Sequence, residues 1–143
     1  MRYLYPITIE QDEAGFFLAT FADVPEAGTD AATRAEAEAE AQDALIAALA
    51  GYVEAYREIP PSSKPGRTQP VVCLPPLAAT KLALYQAMRE AGMNNTQLAA
   101  RLGVSETVVR RLLDPDHRSH IGQVENALTS LGKRVIVEVS NAA

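Results

Sequence analysis

Residues 94–113 read Asn94-Asn95-Thr96-Gln97-Leu98-Ala99-Ala100-Arg101-Leu102-Gly103-Val104-Ser105-Glu106-Thr107-Val108-Val109-Arg110-Arg111-Leu112-Leu113. The pattern predicts two short helices joined by a tight turn at Gly103, because glycine readily adopts the left-handed conformation that ends a helix. Asn94 and Gln97 have the spacing of a capping box, and Ser105 is placed to cap the second helix. The stretch therefore predicts a helical hairpin whose helices have defined beginnings and ends.

Apolar side chains give each predicted helix an inner face. Leu98, Ala99 and Leu102 form that face on the first helix, and Val109 and Leu112 repeat at a spacing of three on the second. Val104 follows the turn and is expected to fill the angle between the helices. The hairpin is thus expected to be held together from within, which leaves its polar side chains facing outward.

The outward-facing residues have the chemistry of a helix that reads DNA. Arginine can bind a guanine edge through two N–H groups or neutralise a phosphate, and threonine can contact a thymine methyl group. The alternative is an ordinary helical hairpin with a solvated basic face. The order of cap, small residue and glycine favours a helix-turn-helix and resembles the Cro/phage-repressor class. The predicted DNA-binding residues are Asn95, Thr96, Gln97, Ser105, Glu106, Thr107, Arg110, Arg111 and Arg118.

Length and composition favour a globular protein of one medium domain or two small ones. The chain has 143 residues, of which 48% are apolar. No apolar run is long enough to span a membrane, and the first residues lack the pattern of a signal peptide. Cys73 is the single cysteine, which excludes a disulfide framework and a cysteine-rich metal site. We therefore expect a reduced, cytoplasmic protein without a membrane partner.

The net charge of −5 is divided unevenly along the chain. Residues 1–75 hold five basic and twelve acidic residues, a net charge of −7. Residues 76–143 hold eight basic and six acidic residues, a net charge of +2. The second half can approach phosphate, whereas the first half would attract a basic protein.

The first half of the chain predicts a small α+β domain with the order β-β-β-α-β. Residues 2–10 and 16–21 are rich in aromatic and β-branched residues and predict a hairpin across a polar turn. A short third strand is expected at residues 27–30, and another strand at residues 70–74. Between them, a long helix is expected to begin at Thr33 and to end before two prolines at positions 60 and 61. The stripe that should face the sheet contains Ala37, Ala41, Leu45, Leu49, Tyr52, Val53 and Tyr56.

Pro75-Pro76 marks the predicted boundary between a domain of residues 1–75 and a domain of residues 76–143. The second domain is expected to be all-α, with helices at residues 77–91 and 119–131 flanking the hairpin. Residues 133–140 then predict a strand. An isolated strand leaves its backbone groups unpaired, so we expect it to pair with a second copy of the chain.

Pairing of two copies would set two reading helices about 34–36 Å apart, one turn of DNA. The alternative is that the strand packs on the N-terminal domain of its own chain. Whether two such dimers pair into a tetramer is left open by the sequence. The residues assigned to dimerisation are Val135, Ile136, Val137 and Val139.

The order of motifs along the whole chain resembles the HicB family of antitoxins. The first half contributes Tyr5-Pro6-Ile7-Thr8-Ile9-Glu10, Gly15-Phe16, Phe21-Ala22-Asp23-Val24-Pro25-Glu26-Ala27 and the Glu-Ala repeats of the helix that follows Thr33. The second half contributes Leu113-Asp114-Pro115-Asp116-His117-Arg118 and Leu131-Gly132-Lys133-Arg134. In the family the loop usually reads Phe-Pro-Asp-Leu-Pro-Gly-Cys, from which Ala22, Glu26 and Ala27 depart.

The resemblance implies a fold class and two partners. The first domain would be a partial RNase H-like domain that binds and neutralises a HicA-type mRNA-cleaving toxin. The second would be a helix-turn-helix domain with a C-terminal dimerisation strand that binds double-stranded operator DNA and represses the operon. An RNA-binding toxin is expected to be basic, which agrees with the acidic first half. The residues assigned to toxin binding are Phe16, Asp23, Val24, Pro25 and Glu26.

Two other readings of the sequence predict different functions. A stand-alone repressor would use its first domain to sense a small ligand. A metal-dependent nuclease would use Asp12, Glu13, Asp23 and Glu26 as a carboxylate cluster. Aspartate and glutamate are common in turns, where they form local hydrogen bonds. His117 and His120 have the spacing of a metal-binding pair, but the sequence shows no third or fourth ligand beside them. We therefore expect no enzyme activity, no catalytic residue, no metal and no cofactor.

Overall fold

The computed structural model describes residues 1–141. The chain divides into two compact units, Met1–Pro75 and Pro76–Ala143. The architecture is mixed α+β, with an N-terminal β-sheet and several helices.

The strands of the first unit form two antiparallel sheets. One sheet has three strands in the order β2-β3-β4, and the other pairs β1 with β5. The strands are β1 (Leu4–Pro6), β2 (Thr8–Gln11), β3 (Phe17–Thr20), β4 (Gly28–Ala31) and β5 (Val71–Cys73). The strands predicted at residues 27–30 and 70–74 are thus confirmed as β4 and β5.

The strand predicted at residues 2–10 is divided in two. Its first half pairs with β5, so that Leu4 lies opposite Cys73, and its second half pairs with β3. Pro6 has no N–H to donate, and the chain changes partner immediately after it. Between the two strands, the main-chain N–H of Ile7 donates to the main-chain oxygen of Pro70 at 3.0 Å.

The turn between β2 and β3 is closed by Asp12. Its N–H donates to the oxygen of Phe16 at 2.8 Å, and its carboxylate accepts from the N–H of Phe16 at 2.9 Å. Gly15 has a φ of +91°, a conformation that favours glycine. These bonds confirm the predicted hairpin and fix its register.

Helix α1 (Arg34–Glu54) packs one face against the three-stranded sheet. Thr33 caps it by accepting from the N–H of Glu36 at 3.2 Å, as predicted. The alanines of the buried face allow a close approach to the sheet. That face contains Ala37, Ala41, Leu45, Ile46, Leu49 and Tyr52. Tyr56 was assigned wrongly to this stripe: the helix ends at Glu54, and Tyr56 leaves the helical repeat and is exposed.

Residues 76–141 of the second unit form four helices: α2 (Pro76–Glu90), α3 (Asn95–Leu102), α4 (Glu106–Leu113) and α5 (Ile121–Ser130). Helix α2 packs against both α4 and α5, and α3 packs against α4. Leu82, Leu98, Val109 and Val124 are completely buried, one from each helix, and form the centre of this core.

The prediction of a strand at residues 133–140 is wrong for the single chain. Residues 133–141 have no regular secondary structure. A strand is stable only when another strand pairs with its backbone groups, and the part of this unit that the structure describes is otherwise helical. Pairing with a second chain stays a prediction.

Among residues 1–141, none of the helices combines the length and the apolar character that crossing a membrane requires.

Candidate functional site

The hairpin of α3 and α4 has the capping pattern that its sequence predicts. The side chain of Asn94 accepts from the N–H of Gln97, and the side chain of Gln97 accepts from the N–H of Asn94, both at 2.9 Å. Gly103 ends α3 with a φ of +66° in the left-handed region. Ser105 caps α4 by accepting from the N–H of Val108 at 3.3 Å. These local bonds fix where both helices begin and where the first one ends.

The predicted inner residues Leu98, Ala99, Val109 and Leu112 are buried, and Leu102 is half-buried. Val104 is not buried: its side chain is 38% exposed, so the prediction that it fills the angle between the helices is wrong. Its N–H donates to the oxygen of Ala99 at 3.0 Å, which completes the turn at Gly103 and leaves the side chain at the surface.

Most residues that were assigned to DNA binding are exposed. Thr96 and Gln97 are exposed at the start of α3, and the hydroxyl of Thr96 donates to the carboxylate of Glu106 at 2.9 Å. This bond holds the first turns of α3 and α4 side by side. The exposed residues of the second helix and its cap are Ser105, Glu106, Thr107, Arg110 and Arg111.

Asn95 differs from the other assigned residues. It is half-buried, and its Oδ1 is buried without a hydrogen-bond partner among the described residues. Only part of its side chain therefore lies on the exposed surface.

A buried lysine supports the end of α4 from within the unit. Lys81, on α2, is 0% exposed, and its Nζ donates to the main-chain oxygens of Arg111 at 2.7 Å, Asp114 at 3.0 Å and His117 at 2.6 Å. It also donates to the hydroxyl of Ser119 at 2.9 Å. Because the last carbonyls of a helix have no partner within it, a cation there satisfies groups that would otherwise be unpaired.

Burial lowers the pKa of the Lys81 ammonium below its usual range, and the nearby Asp114 carboxylate opposes this shift. Lys81 was not among the site residues predicted from the sequence. The sequence did indicate that Lys81 is buried, because Lys81, Tyr85 and Met88 share the helical spacing of the buried face of α2.

Arg118 lies in the loop that Lys81 anchors. It is exposed and follows His117, whose oxygen is one of the four acceptors. The N–H of His117 bonds the oxygen of Asp114 at 3.2 Å, so the loop turns back at once after α4. The structure thus ties the loop of Arg118 to the end of the helix that carries Arg110 and Arg111.

The residues assigned to toxin binding do not lie together in the first unit. Phe16 precedes β3 and is 45% exposed, whereas the loop of residues 23–26 follows β3. A strand of four residues separates them, a span of roughly 13 Å. Val24 is 0% exposed, so its side chain belongs to the core and not to the surface. Pro25 is exposed in the same loop.

Two carboxylates of this loop accept hydrogen bonds from α1 and from the segment that follows it. Asp23 accepts from the N–H and the hydroxyl of Ser63 at 2.8 and 3.0 Å. Glu26 accepts from the hydroxyl of Tyr52 at 2.8 Å and from Arg57 at 3.1 Å. The hydrogen bond from Tyr52 is the main reason that the pKa of Glu26 lies below its ordinary value. The loop is therefore held in one conformation by α1 and the segment after it.

The residues assigned to dimerisation lie in the segment of residues 133–141. Val135 is half-buried, whereas Ile136, Val137 and Val139 are 83%, 67% and 91% exposed. Three β-branched side chains are thus in solvent in the single chain.

Among the described residues, no group of three or more histidine, cysteine, aspartate or glutamate side chains is placed to hold a metal ion. Asp12 lies in the hairpin turn and Asp23 beyond the opposite end of β3, so the carboxylates considered for catalysis are held apart. His117 contacts Ser119 at 3.4 Å through Nδ1, and His120 precedes α5.

Comparison with known proteins gives the family. A family model described as "HicB_like antitoxin of bacterial toxin-antitoxin system" matches residues 4–83. The antitoxin HicB 2 of Photorhabdus laumondii is 39% identical over 131 residues, which cover 92% of each chain. The antitoxin HicB of Pseudomonas fluorescens is 35% identical over 143 residues, 99% of this chain and 97% of the relative. The antitoxin HicB of Escherichia coli is 32% identical over 131 residues, 92% of this chain and 95% of the relative. The chain therefore belongs to the HicB-like antitoxins of bacterial toxin–antitoxin systems.

Proposed function

We propose that this antitoxin has two binding sites, one for its toxin and one for the operator of its own operon. The first unit, as a partial RNase H-like domain, binds and neutralises a HicA-type mRNA-cleaving toxin. The second unit, as a helix-turn-helix domain, binds double-stranded DNA and represses transcription. The observation that carries the DNA-binding half is the capped hairpin of α3 and α4 with Arg110 and Arg111 exposed on α4.

Helix α4 is the proposed reading helix. Its exposed arginines can donate to guanine edges or to phosphates, and Thr107 and Ser105 can donate to phosphates near its beginning. The bond between Thr96 and Glu106 would set the start of α3 beside it, where Gln97 can reach the DNA backbone. Arg118 supplies a further positive charge from the loop after α4.

Two copies of the chain are needed to occupy a two-fold symmetric operator. We propose that residues 133–140 of two chains pair as antiparallel strands, because a strand that forms between chains satisfies backbone groups that a single chain leaves to solvent. The exposed side chains of Ile136, Val137 and Val139 would be covered in that pairing.

The toxin is expected to bind the first unit by charge and by the loop of residues 23–26. The net charge of −7 in residues 1–75 suits a basic RNA-binding partner. The loop is held rigidly by Ser63, Tyr52 and Arg57, which lowers the conformational entropy lost on binding. Phe16 lies beyond the other end of β3, so this proposal relies on the loop.

We also infer that the chain is a binding protein and not an enzyme. In support, three of the four carboxylates of the supposed cluster have a structural partner: Phe16 for Asp12, Ser63 for Asp23 and Tyr52 for Glu26. Both proposed partners act in the cytoplasm, where we expect the chain to work.

Co-expression with the adjacent gene tests the proposal. We expect this chain to restore growth to cells that express the neighbouring toxin, and the purified complex to have the mass of both proteins. The complex or the free antitoxin should shift a fragment of its own promoter in a gel. Failure to restore growth would contradict the antitoxin half, and failure to shift the promoter would contradict the repressor half.

A further inference from the structure

Glu106 is the single acidic residue among residues 94–113, which also hold three arginines. It is exposed, and it is the first residue of α4, the proposed reading helix. A helix-turn-helix domain contacts base edges with the residues at the beginning of its second helix. Glu106 therefore lies where a side chain would meet a base, although the phosphates of DNA repel a carboxylate.

Two neighbouring side chains fix the beginning of α4 and the carboxylate of Glu106. The hydroxyl of Thr96, on α3, donates to Oε1 of Glu106 at 2.9 Å. The hydroxyl of Ser105 accepts from the N–H of Val108 at 3.3 Å and so caps α4. The bond from Thr96 uses one oxygen of the carboxylate and leaves Oε2 able to accept a further hydrogen bond.

A carboxylate can only accept hydrogen bonds, and this restricts the base edges that Glu106 could contact. In the major groove, guanine and thymine present acceptors, which repel a carboxylate. Adenine presents a donor beside the acceptor N7, whereas cytosine presents the N4 donor without an acceptor beside it. Cytosine is therefore the base whose edge best matches a carboxylate with one oxygen available.

A structural role for Glu106 predicts a different result. A negative charge in the first turn stabilises a helix, because it lies near N–H groups that have no partner within the helix. That stabilisation is the same whichever DNA sequence is bound. The base preference of the protein therefore separates a carboxylate that reads DNA from one that only stabilises α4.

We propose that Glu106 selects cytosine in the operator and that Thr96 is the positioning residue that directs its carboxylate. The inference rests on the proposed DNA-binding function, and it names a base that each half of the operator contains. Any other base would leave the carboxylate without a donor close to the phosphates, so Glu106 acts mainly by disfavouring other sequences. Arg110, one turn further along α4, carries donors only and reads the opposite chemistry.

Selection from a library of DNA duplexes tests the proposal with the full-length antitoxin. The randomised stretch should have about 20 base pairs, two turns of DNA. The unaltered chain should favour cytosine at one position of each half-site by at least about fivefold over guanine or thymine. Glu106→Gln should lose this preference and favour a purine there, because an amide N–H can donate to the N7 of adenine or guanine.

Thr96→Val tests the positioning role, because valine keeps the shape of threonine without its hydroxyl. It should reduce the preference for cytosine without creating one for purines. Glu125→Gln is the control, since Glu125 is an exposed residue of α5 and its replacement makes the same change of charge outside α4. It should leave the base preference unchanged.

Three results would overturn the inference and leave the proposed DNA-binding function standing. They are the absence of a cytosine preference in an unaltered chain that shifts its own promoter, the same preference in Glu106→Gln, and tighter binding of Glu106→Gln to all sequences alike. An unchanged preference in Thr96→Val would overturn the role of Thr96. If the unaltered chain neither selects a sequence nor shifts its promoter, the proposed DNA-binding function fails and the inference fails with it.

Discussion

The ammonium nitrogen of Lys81 lies 2.7 Å from the main-chain oxygen of Arg111. The backbone of Arg111 is thus held from inside the unit, whereas its guanidinium is exposed on the outer face of α4. A change at Lys81, which touches no solvent, therefore alters the support of a residue on the proposed DNA-binding surface.

Replacing Lys81 should destabilise the second unit strongly. Lys81→Met keeps an unbranched side chain but removes the ammonium, and so leaves the oxygens of Arg111, Asp114 and His117 without this donor. We expect the free energy of unfolding to fall by about 3 kcal/mol, because unpaired buried polar groups are costly. Urea-induced unfolding followed by circular dichroism measures the change.

Lys133→Met is the matched control for Lys81→Met. Lys133 forms an exposed ion pair with Glu90 at 2.7 Å, and such pairs contribute less than about 1 kcal/mol. Equal losses for the two variants would contradict the role assigned to the buried ammonium.

Two glycine substitutions should change stability in opposite directions. At Gly103 a new Cβ meets no atom within 4 Å, so the cost of Gly103→Ala comes from its left-handed backbone alone. We expect a loss of about 1 kcal/mol. Gly122 lies within α5 with equal space around it, and Gly122→Ala should gain about 0.5–1 kcal/mol. Thermal unfolding of both variants checks the pair, and a gain at Gly103 would show that its backbone is not left-handed.

Glu26 should contribute a pH-dependent stabilisation. The hydrogen bond from Tyr52 lowers its pKa in the folded chain below the ordinary 4.5. The stabilisation is therefore fully present above pH 4.5 and is lost as the pH falls through the lowered pKa. The melting temperature of Glu26→Gln should lie below that of the unaltered chain at neutral pH, and the difference should shrink in acid.

Glu13→Gln removes a carboxylate from the hairpin turn and leaves the contacts of Glu26 intact, so it controls for the loss of one negative charge. A difference for Glu26→Gln that grows as the pH falls would have the wrong sign for a carboxylate that is stabilised in the folded state.

The proposed reading helix predicts weaker operator binding for Arg110→Ala and for Arg111→Ala. Replacing a residue that reads a base edge should weaken binding by about 1–3 kcal/mol, whereas replacing one that contacts a phosphate should weaken binding to all DNA sequences alike. Gel shifts at several salt concentrations distinguish the two roles. Arg89→Ala, on the exposed end of α2, makes the same change of charge elsewhere. Unchanged affinity for both α4 variants would remove this helix from the interface.

Pairing through residues 133–140 predicts that Val137→Asp produces monomers. The charge would lie in the middle of the proposed intermolecular strand, where Val137 is 67% exposed in the single chain. Sedimentation velocity over a range of concentrations measures the oligomeric state. Ser140→Asp adds the same charge at the edge of the predicted strand, so it should have the smaller effect.

Features that depend on neighbouring residues could be predicted from the sequence. The caps at Asn94 and Ser105 and the turn at Gly103 need residues that lie within four positions of one another. The buried face of α1 followed from its helical repeat, except at Tyr56, where the chain had already left the helix.

Features that depend on distant residues could not be predicted. Glu26 accepts a hydrogen bond from Tyr52, which lies 26 positions further along the chain. Lys81 donates to Arg111, which lies 30 positions further along, so neither pair has a local sequence pattern. The division of the first strand depends on its partner β5, some 69 positions further along the chain when Leu4 is paired with Cys73. Such contacts arise only when the elements pack, and they decide which charged residues are structural and which are available to partners.

If the exposed side chains of Ile136, Val137 and Val139 join two chains as proposed, repression would depend on the concentration of the chain itself. If two chains must join before an operator is occupied, the number of joined pairs rises with the square of the monomer concentration when pairs are scarce. Halving the amount of antitoxin would then remove three quarters of the pairs. A modest loss of antitoxin by degradation would then relieve the repression of the operon steeply. No ligand of the second unit would be needed for this response.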